Sequence, residues 1–169
     1  VKDKKIKRGE IMNILLPLQF SLILAVLFSL IPDVKKIIKI IAPLLALANL
    51  VMGIMIFINP VIPETITILS WEIGLLTDKL SMLVFLFIGI FGFLISIYSA
   101  GYIEEKLNKY FSYYFLTLAS AYGIVLSNNW LLFIVFWGIS GITLYMMMQF
   151  NAEANSSAKK TLIILGGTD

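Results

Sequence analysis

The sequence predicts an all-α integral membrane protein, a bundle of five complete transmembrane helices followed by a partial sixth. Of its 169 residues, 60% are hydrophobic and only 14% are charged. A soluble domain is about 45–50% apolar and about 25% charged. The charged residues also cluster in short stretches between long apolar runs, as expected where the runs lie in hydrocarbon and the stretches in water.

Five apolar runs are each close to the ~20 residues that cross a bilayer core of ~30 Å. They cover residues 14–31, 37–58, 80–98, 110–126 and 130–150. We expect residues 14–169 to form one membrane domain behind a basic tail, residues 1–13. A tail followed by an apolar run also fits a signal peptide, but this run contains Pro17 and has no small-residue cleavage site after it. We therefore predict a retained helix, with a removed signal peptide as the minor alternative.

Two further segments interrupt or follow these spans. Between the second and third spans, residues 65–73 roughly alternate polar and apolar side chains, which predicts a short β-hairpin on the membrane face. Trp71 would be its interfacial anchor. Residues 159–169 begin a sixth apolar run that would stop halfway across the bilayer. Because its last carbonyls would be unsatisfied in hydrocarbon, we expect a fragment, a split or frameshifted product, or one piece of a longer polypeptide.

The lysines of the loops predict the orientation, since basic residues favour the cytoplasmic side. The loops after the first, third and fifth spans carry Lys35, Lys36, Lys39, Lys106, Lys109, Lys159 and Lys160. The other side carries Lys79 and the basic tail. The tail is the one conflict, and it disappears if synthesis starts at Met12, in which case residues 1–11 are not native. We expect the three loops in the cytoplasm and the bundle in the cell inner (cytoplasmic) membrane.

Composition excludes several kinds of chemistry. The chain has no cysteine and no histidine, which excludes disulfides, thiolate metal sites, haem ligation by these residues and histidine-based triads. No nucleotide-binding loop, nucleophile elbow or zinc-binding helix occurs. We therefore predict no catalytic site, no cofactor and no metal. The net charge of +3 comes largely from the tail, and no base-reading motif accompanies it, so we predict no nucleic-acid partner.

Polar side chains inside the spans are the remaining functional candidates, because no span has Asp, Glu, Lys or Arg in its central part. They are Gln19, Asn49, Thr117, Ser120, Ser140 and Thr143. The favoured interpretation is helix packing, in which hydroxyls bridge helices and small residues allow close approach. This includes Gly89 and Gly92 in the third span, and Gly138 and Gly141 in the fifth. The alternative is a hydrated groove that carries protons, with Thr117, Ser120, Ser140 and Thr143 as its path.

A series of short motifs then resembles a known family. They are residues 77–81 (TDKLS), 98–102 (YSAGY), 110–115 (YFSYYF), 128–132 (NNWLL), 136–141 (FWGISG) and 158–162 (AKKTL). Their order and spacing resemble the N-terminal part of the antiporter-like subunits of respiratory complex I, membrane-bound hydrogenases and multisubunit sodium/proton antiporters. The resemblance covers about residues 60–169.

The resemblance implies a half-channel for protons in a longer helical bundle, driven by electron transfer in a neighbouring arm. It implies a Glu directly after Trp137, paired with lysines of later helices, but this sequence has Gly138 there. A carboxylate–lysine pair cannot form from this position. Lys159 and Lys160 lie at the predicted cytoplasmic lip, where we expect them to reach lipid phosphates rather than relay protons.

The leading hypothesis is the N-terminal portion of a proton- or cation-translocating membrane subunit of a redox-driven complex, of NADH-quinone oxidoreductase or hydrogenase type, inactive alone. It would have no catalytic site of its own. Its partners would be the lipid bilayer and other membrane subunits. The alternatives are a structural or assembly subunit that has lost the relay, and an unrelated small transporter. The DNA beyond the Asp169 codon would separate the first two, and ion conduction by the chain alone would favour the third.

Overall fold

A computed structural model describes residues 8–58, 65–68, 71–74 and 79–149. These residues form, in order, α1 (Arg8–Leu30), α2 (Lys35–Ile58), β1 (Thr65–Ile68), β2 (Trp71–Gly74), α3 (Lys79–Tyr102), α4 (Leu107–Leu126) and α5 (Trp130–Met148). The predicted sixth span, with Lys159 and Lys160, lies outside the described residues.

α4 is the central helix of the bundle. It contacts all four other helices, most extensively α1 and α5, while α2 packs mainly on α3. Its aromatic side chains fill the core: Phe111, Phe115 and Tyr122 are fully buried. Phe28 of α1 stacks on Phe115 with ring centroids 5.4 Å apart. Among the described helices, α4 is therefore the one with the least contact with the surroundings of the bundle.

The distribution of polarity is that of a membrane protein. Large apolar side chains such as Ile40, Met55 and Leu94 are exposed on the outer surface. Polar side chains are buried between helices: Ser21, Asn49, Ser96, Ser99, Ser112, Ser120 and Thr143. Monomeric soluble proteins rarely expose large contiguous apolar surface, and in lipid the polar groups must find partners inside the protein. The described residues form a multi-pass, membrane-embedded helical bundle.

Three helices within the described residues, α2, α3 and α5, are long and apolar enough to cross a membrane. α1 contributes a shorter apolar stretch, Leu15–Leu30. α4 carries the hydroxyl and tyrosine side chains that face its neighbours, and this polarity lowers its hydropathy. By length and composition, α2, α3 and α5 are therefore the candidate membrane spans among the described residues.

Between α2 and α3 the chain forms two short antiparallel strands. Ile66 pairs with Ile73 and Ile68 pairs with Trp71. They lie in the segment for which the alternating sequence predicts a hairpin.

The loops after α1 and after α3 lie at the same end of the bundle. The Asn108 side-chain amide donates to the Ile31 carbonyl at 3.0 Å, which joins the start of α4 to the end of α1. Lys106 precedes α4 in the left-handed conformation, with φ 52°. This end carries Lys35, Lys36, Lys39, Lys106 and Lys109, as the predicted orientation requires of these two loops.

Candidate functional site

Two of the four path candidates meet between α4 and α5. The Thr117 hydroxyl donates either to the Thr143 hydroxyl at 2.7 Å or to the Tyr113 carbonyl at 2.8 Å. The Thr143 hydroxyl in turn lies 3.0 Å from the carbonyls of Ile139 and Ser140. Thr143 is buried, and Thr117 is half-buried.

This arrangement has limited chemistry. A hydroxyl has one proton to donate and can also accept. Each threonine hydroxyl can therefore donate either to a carbonyl of its own helix or to the hydroxyl of the other threonine. Such a pair can pass hydrogen bonds between helices. It cannot hold a charge at ordinary pH, because both groups are neutral. The geometry is that of an interhelical bridge, the kind of contact that links transmembrane helices.

The other two candidates do not extend this pair into a chain of side chains. The buried Ser120 hydroxyl donates to the Thr117 carbonyl of its own helix at 2.8 Å. Ser140 contributes its carbonyl to Thr143. Ser120 therefore contacts the pair through the carbonyl of Thr117, and Ser140 contacts it through its own carbonyl.

The groove beside Thr117 is apolar. It runs between α3, α4 and α5 with a volume of about 470 Å³. Its walls include Phe87, Phe91, Ile95, Leu118, Leu144 and Met147, and its hydroxyl-bearing residues are Tyr114 and Thr117. A groove lined in this way offers few partners to water.

The glycines divide into two groups. At Gly92, an added Cβ would lie 2.8 Å from Leu118 Cδ1 and 3.2 Å from the Tyr114 hydroxyl, so α3 and α4 approach closely there. At Gly89 the corresponding neighbours are Leu50 Cδ1 at 3.1 Å and the Tyr122 hydroxyl at 3.2 Å. The packing role predicted for these two glycines agrees with this geometry.

Gly138 and Gly141 are different. No heavy atom of the described residues lies within 4 Å of an added Cβ at either position, and Gly138 is exposed. The expectation that they allow close helix approach is wrong for the helices described. The reason is rotation: α5 turns Thr143 and Phe136 toward α4, and Gly138 points away. The position after Trp137 therefore lies on the outer face of α5.

Several interhelical hydrogen bonds were not predicted. Tyr114 donates to the Gly92 carbonyl at 2.5 Å, and Ser112 donates to the Ala25 carbonyl at 2.6 Å. The hydroxyls of Ser99 and Tyr110 lie 2.8 Å apart. The alternation of polar and aromatic residues in Tyr110-Phe-Ser112-Tyr-Tyr114 was the available signal, because these positions fall on different faces of α4 and reach different neighbours.

α1 and α2 are joined by a further buried pair. Asn49 donates through Nδ2 to the Ser21 hydroxyl, and Ser21 donates to the Pro17 carbonyl at 2.8 Å. Both side chains are fully buried. Among the described residues no three Asp, Glu, His or Cys side chains come together as a metal site.

Comparison with known proteins places residues 65–114 in a family model described as NADH-Ubiquinone oxidoreductase (complex I), chain 5 N-terminus. The Na(+)/H(+) antiporter subunit A1 of Staphylococcus haemolyticus (strain JCSC1435) is 32% identical over 101 residues, which is 57% of this chain and 13% of the relative. The subunit A1 of Staphylococcus aureus (strain JH9) is 33% identical over 92 residues, 52% of this chain and 12% of the relative. The chain thus spans a small fraction of the length of these curated relatives.

The fold has a counterpart among solved structures. A chain of the membrane-bound sulfane sulfur reductase (MBS), an archaeal respiratory membrane complex, superposes with a TM-score of 0.67 over 96% of this chain and 34% of that chain, at 21% identity. At this identity the match shows the fold alone. Together with the family model and the relatives, it confirms the predicted resemblance to the N-terminal part of antiporter-like subunits.

Proposed function

We propose, from the premise that this chain resembles the N-terminal part of the antiporter-like membrane subunits, that it is the N-terminal helical portion of a proton- or cation-translocating subunit. In this proposal all five helices span the cytoplasmic membrane, with the loops after α1 and α3 in the cytoplasm. The parent assembly is a multisubunit complex of complex I-like, hydrogenase or antiporter type. The other membrane subunits of that complex are its partners.

The observation that carries this proposal is the family match over residues 65–114. That segment includes β1, β2, α3 and the first part of α4, and in the structure α3 and α4 pack directly through the Tyr114–Gly92 hydrogen bond. The match therefore includes two consecutive helices that pack on each other. The fold likeness extends over nearly the whole chain.

The chain alone is expected to be inactive in transport. The middle of each span has no Asp, Glu, Lys or Arg, and Gly138 stands where the resemblance implies a carboxylate. Thr117, Ser120, Ser140 and Thr143 are neutral groups that can donate and accept hydrogen bonds. Without an ionisable partner, they have nothing that could hold the transported proton between steps.

Purification from native membranes tests the proposal. In mild detergent, the chain should co-purify at fixed stoichiometry with other multi-pass subunits, identified by mass spectrometry. Vesicles that contain the complex should transport protons or exchange them for sodium when an ion gradient is imposed across the membrane. A pH-sensitive dye inside the vesicles follows this flux. Vesicles with the chain alone should show none. Purification of the chain without any membrane partner would contradict the proposal, and flux through the chain alone would favour a small independent transporter.

The second candidate is a structural or assembly subunit that has the fold and lacks the relay. Gly138 favours it, because this residue stands where the resemblance implies a carboxylate. The two proposals separate by one comparison. A complex rebuilt with Gly138→Glu should change its transport rate if the chain lines an ion path. The rate should stay the same if the chain only supports assembly, and Gly101→Glu serves as the control outside the proposed path.

A further inference from the structure

Two polar atoms in the core of the bundle have no hydrogen-bond partner among the described residues. They are Asn49 Oδ1 and the Tyr122 hydroxyl oxygen. Both residues are fully buried, at 0% exposure. A buried polar group without a partner is costly, and nearly all such groups in native proteins are satisfied by protein or by ordered water. Two of them in one bundle therefore require an explanation.

The neighbours of Gly89 locate the Tyr122 hydroxyl relative to α2. An added Cβ at Gly89 of α3 would lie 3.2 Å from the Tyr122 hydroxyl and 3.5 Å from Leu50 Cα. Leu50 is the residue next to Asn49 in α2. The Tyr122 hydroxyl thus lies against the turn of α2 that carries Asn49, across the position where α3 has no side chain.

Contacts of the Phe85 ring show how α2, α3 and α4 are aligned one helical turn further along α2. Gly53 follows Asn49 by one helical turn, and an added Cβ there would lie 3.7 Å from Phe85 Cε1. The rings of Phe85 and Tyr122 have centroids 4.3 Å apart. Asn49, Gly53, Phe85 and Tyr122 therefore line one junction between α2, α3 and α4.

We propose that this junction is an internal water site, in which one water molecule bridges Asn49 Oδ1 and the Tyr122 hydroxyl. Water donates to the amide oxygen and either accepts from or donates to the phenol. The ligand is water rather than an ion because the groups are neutral. A buried water typically makes about three hydrogen bonds to otherwise unsatisfied groups, and these are the two available side-chain atoms.

The site completes a hydrogen-bonded line across the bundle. Ser21 bonds the Pro17 carbonyl of α1, and Asn49 of α2 bonds Ser21. The bridging water then joins Asn49 to Tyr122 of α4. This line is separate from the Thr117–Thr143 pair and reaches a different neighbour of α4. It hydrates the membrane core at a place where the sequence has no charged residue.

The first test is a double-mutant cycle on the full chain in detergent, with reversible unfolding as the readout. If water bridges the two groups, Tyr122→Phe should raise the unfolding equilibrium constant about fivefold or more, because a satisfied hydrogen bond is lost. Asn49→Ala should be costly as well, and the double variant less costly than the two single effects combined. A neutral or stabilising Tyr122→Phe, or strictly additive effects, would overturn the proposal.

Tyr114→Phe is the matched control for these variants. Its hydroxyl has a protein partner, the Gly92 carbonyl, so its loss should destabilise the chain without coupling to Asn49. The ring contact of Tyr122 with Phe85 is kept in Tyr122→Phe, so a change in packing does not explain its effect.

The second test needs no unfolding. With asparagine side-chain amides labelled, NMR should show magnetisation transfer between a long-lived water and the Asn49 Nδ2 protons in the unaltered chain. The signal should vanish in Tyr122→Phe and persist in Tyr114→Phe. Absence of the signal in the unaltered chain would overturn the proposal even if the Asn49 variants fail to fold.

Discussion

The hydroxyl oxygens of Thr117 and Thr143 lie 2.7 Å apart and join the central helix α4 to α5. About two helical turns away on the same pair of helices, an added Cβ at Gly123 would be 2.5 Å from the Phe136 ring. A hydrogen bond and a close approach at a glycine therefore both occur where α4 packs on α5. Their separate contributions can be measured.

Thr117→Val should lower the free energy of unfolding by about 0.6 kcal/mol, the average found for interhelical hydrogen bonds in membranes. Valine has the same shape and lacks the hydroxyl, so packing changes little. Unfolding of the chain by titration with a denaturing detergent measures the effect. In a chain that already carries Thr117→Val, the further substitution Thr143→Val should lower the free energy of unfolding only slightly, because the hydrogen bond between the two hydroxyls is already lost. Ser29→Ala removes an exposed hydroxyl that bonds its own helix and is the control; equal losses in both would contradict an interhelical role.

Gly92→Ala should destabilise the bundle by about 1–3 kcal/mol, the usual effect of overpacking. The added methyl group would lie 2.8 Å from Leu118 Cδ1 and crowd the Tyr114 hydroxyl. Gly101→Ala, in the same helix, meets no atom of the described residues within 4 Å. It should leave stability unchanged or slightly higher, since alanine favours helix. Thermal unfolding of the two variants gives the comparison. Equal stabilities would show that α3 and α4 do not pack here.

Gly138→Glu should reduce membrane insertion of α5 by about 2.5–3.5 kcal/mol, the cost of a charged residue near the centre of an isolated span. A glycosylation-based insertion assay on the full chain measures this difference. Gly138→Leu is the control and should insert at least as well as the parent chain. Unchanged insertion of the glutamate variant would indicate a polar cavity next to the outer face of α5.

The loops after α1 and α3 should be accessible from the same side of the membrane. The chain has no cysteine, so Lys36→Cys, Lys109→Cys and Asn128→Cys each introduce one labelling site. In right-side-out vesicles, a membrane-impermeant maleimide should label position 128 directly. Positions 36 and 109 should react only after permeabilisation. Labelling of 36 and 109 from opposite sides would contradict both the predicted orientation and the Asn108–Ile31 contact.

The helices could be located from the sequence, but their ends could not. α3 continues to Tyr102 and α4 begins at Leu107, whereas hydropathy predicts an end at residue 98 and a start at residue 110. The hydrophobic signal reports the part of a helix that lies in hydrocarbon, and a helix can extend into the interface beyond it. The α4 start is instead set by the left-handed Lys106, a backbone feature that hydropathy does not register.

The sequence predicts which residues belong to the candidate site, but it does not predict which of them are in contact. Thr117 and Thr143 were both chosen as polar residues inside spans, but only the rotation of α4 against α5 brings them together. The same rotation places Gly138 on the outer face of α5, although its position inside an apolar span predicts a packing role. Asn49 is similar: the sequence predicts a polar residue inside the second span, and the crossing of α1 and α2 decides that it bonds Ser21.

The central position of α4 has a consequence for biogenesis. α1 has most of its contacts with α4, yet 76 residues separate the end of α1 at Leu30 from the start of α4 at Leu107. At about 5–20 residues per second, translation takes several seconds to cover that distance. During that interval the nascent α1 lacks its main neighbour, and the Ala25 carbonyl lacks the Ser112 hydroxyl that α4 supplies. The packing of α1 is therefore completed only after α4 has been synthesised.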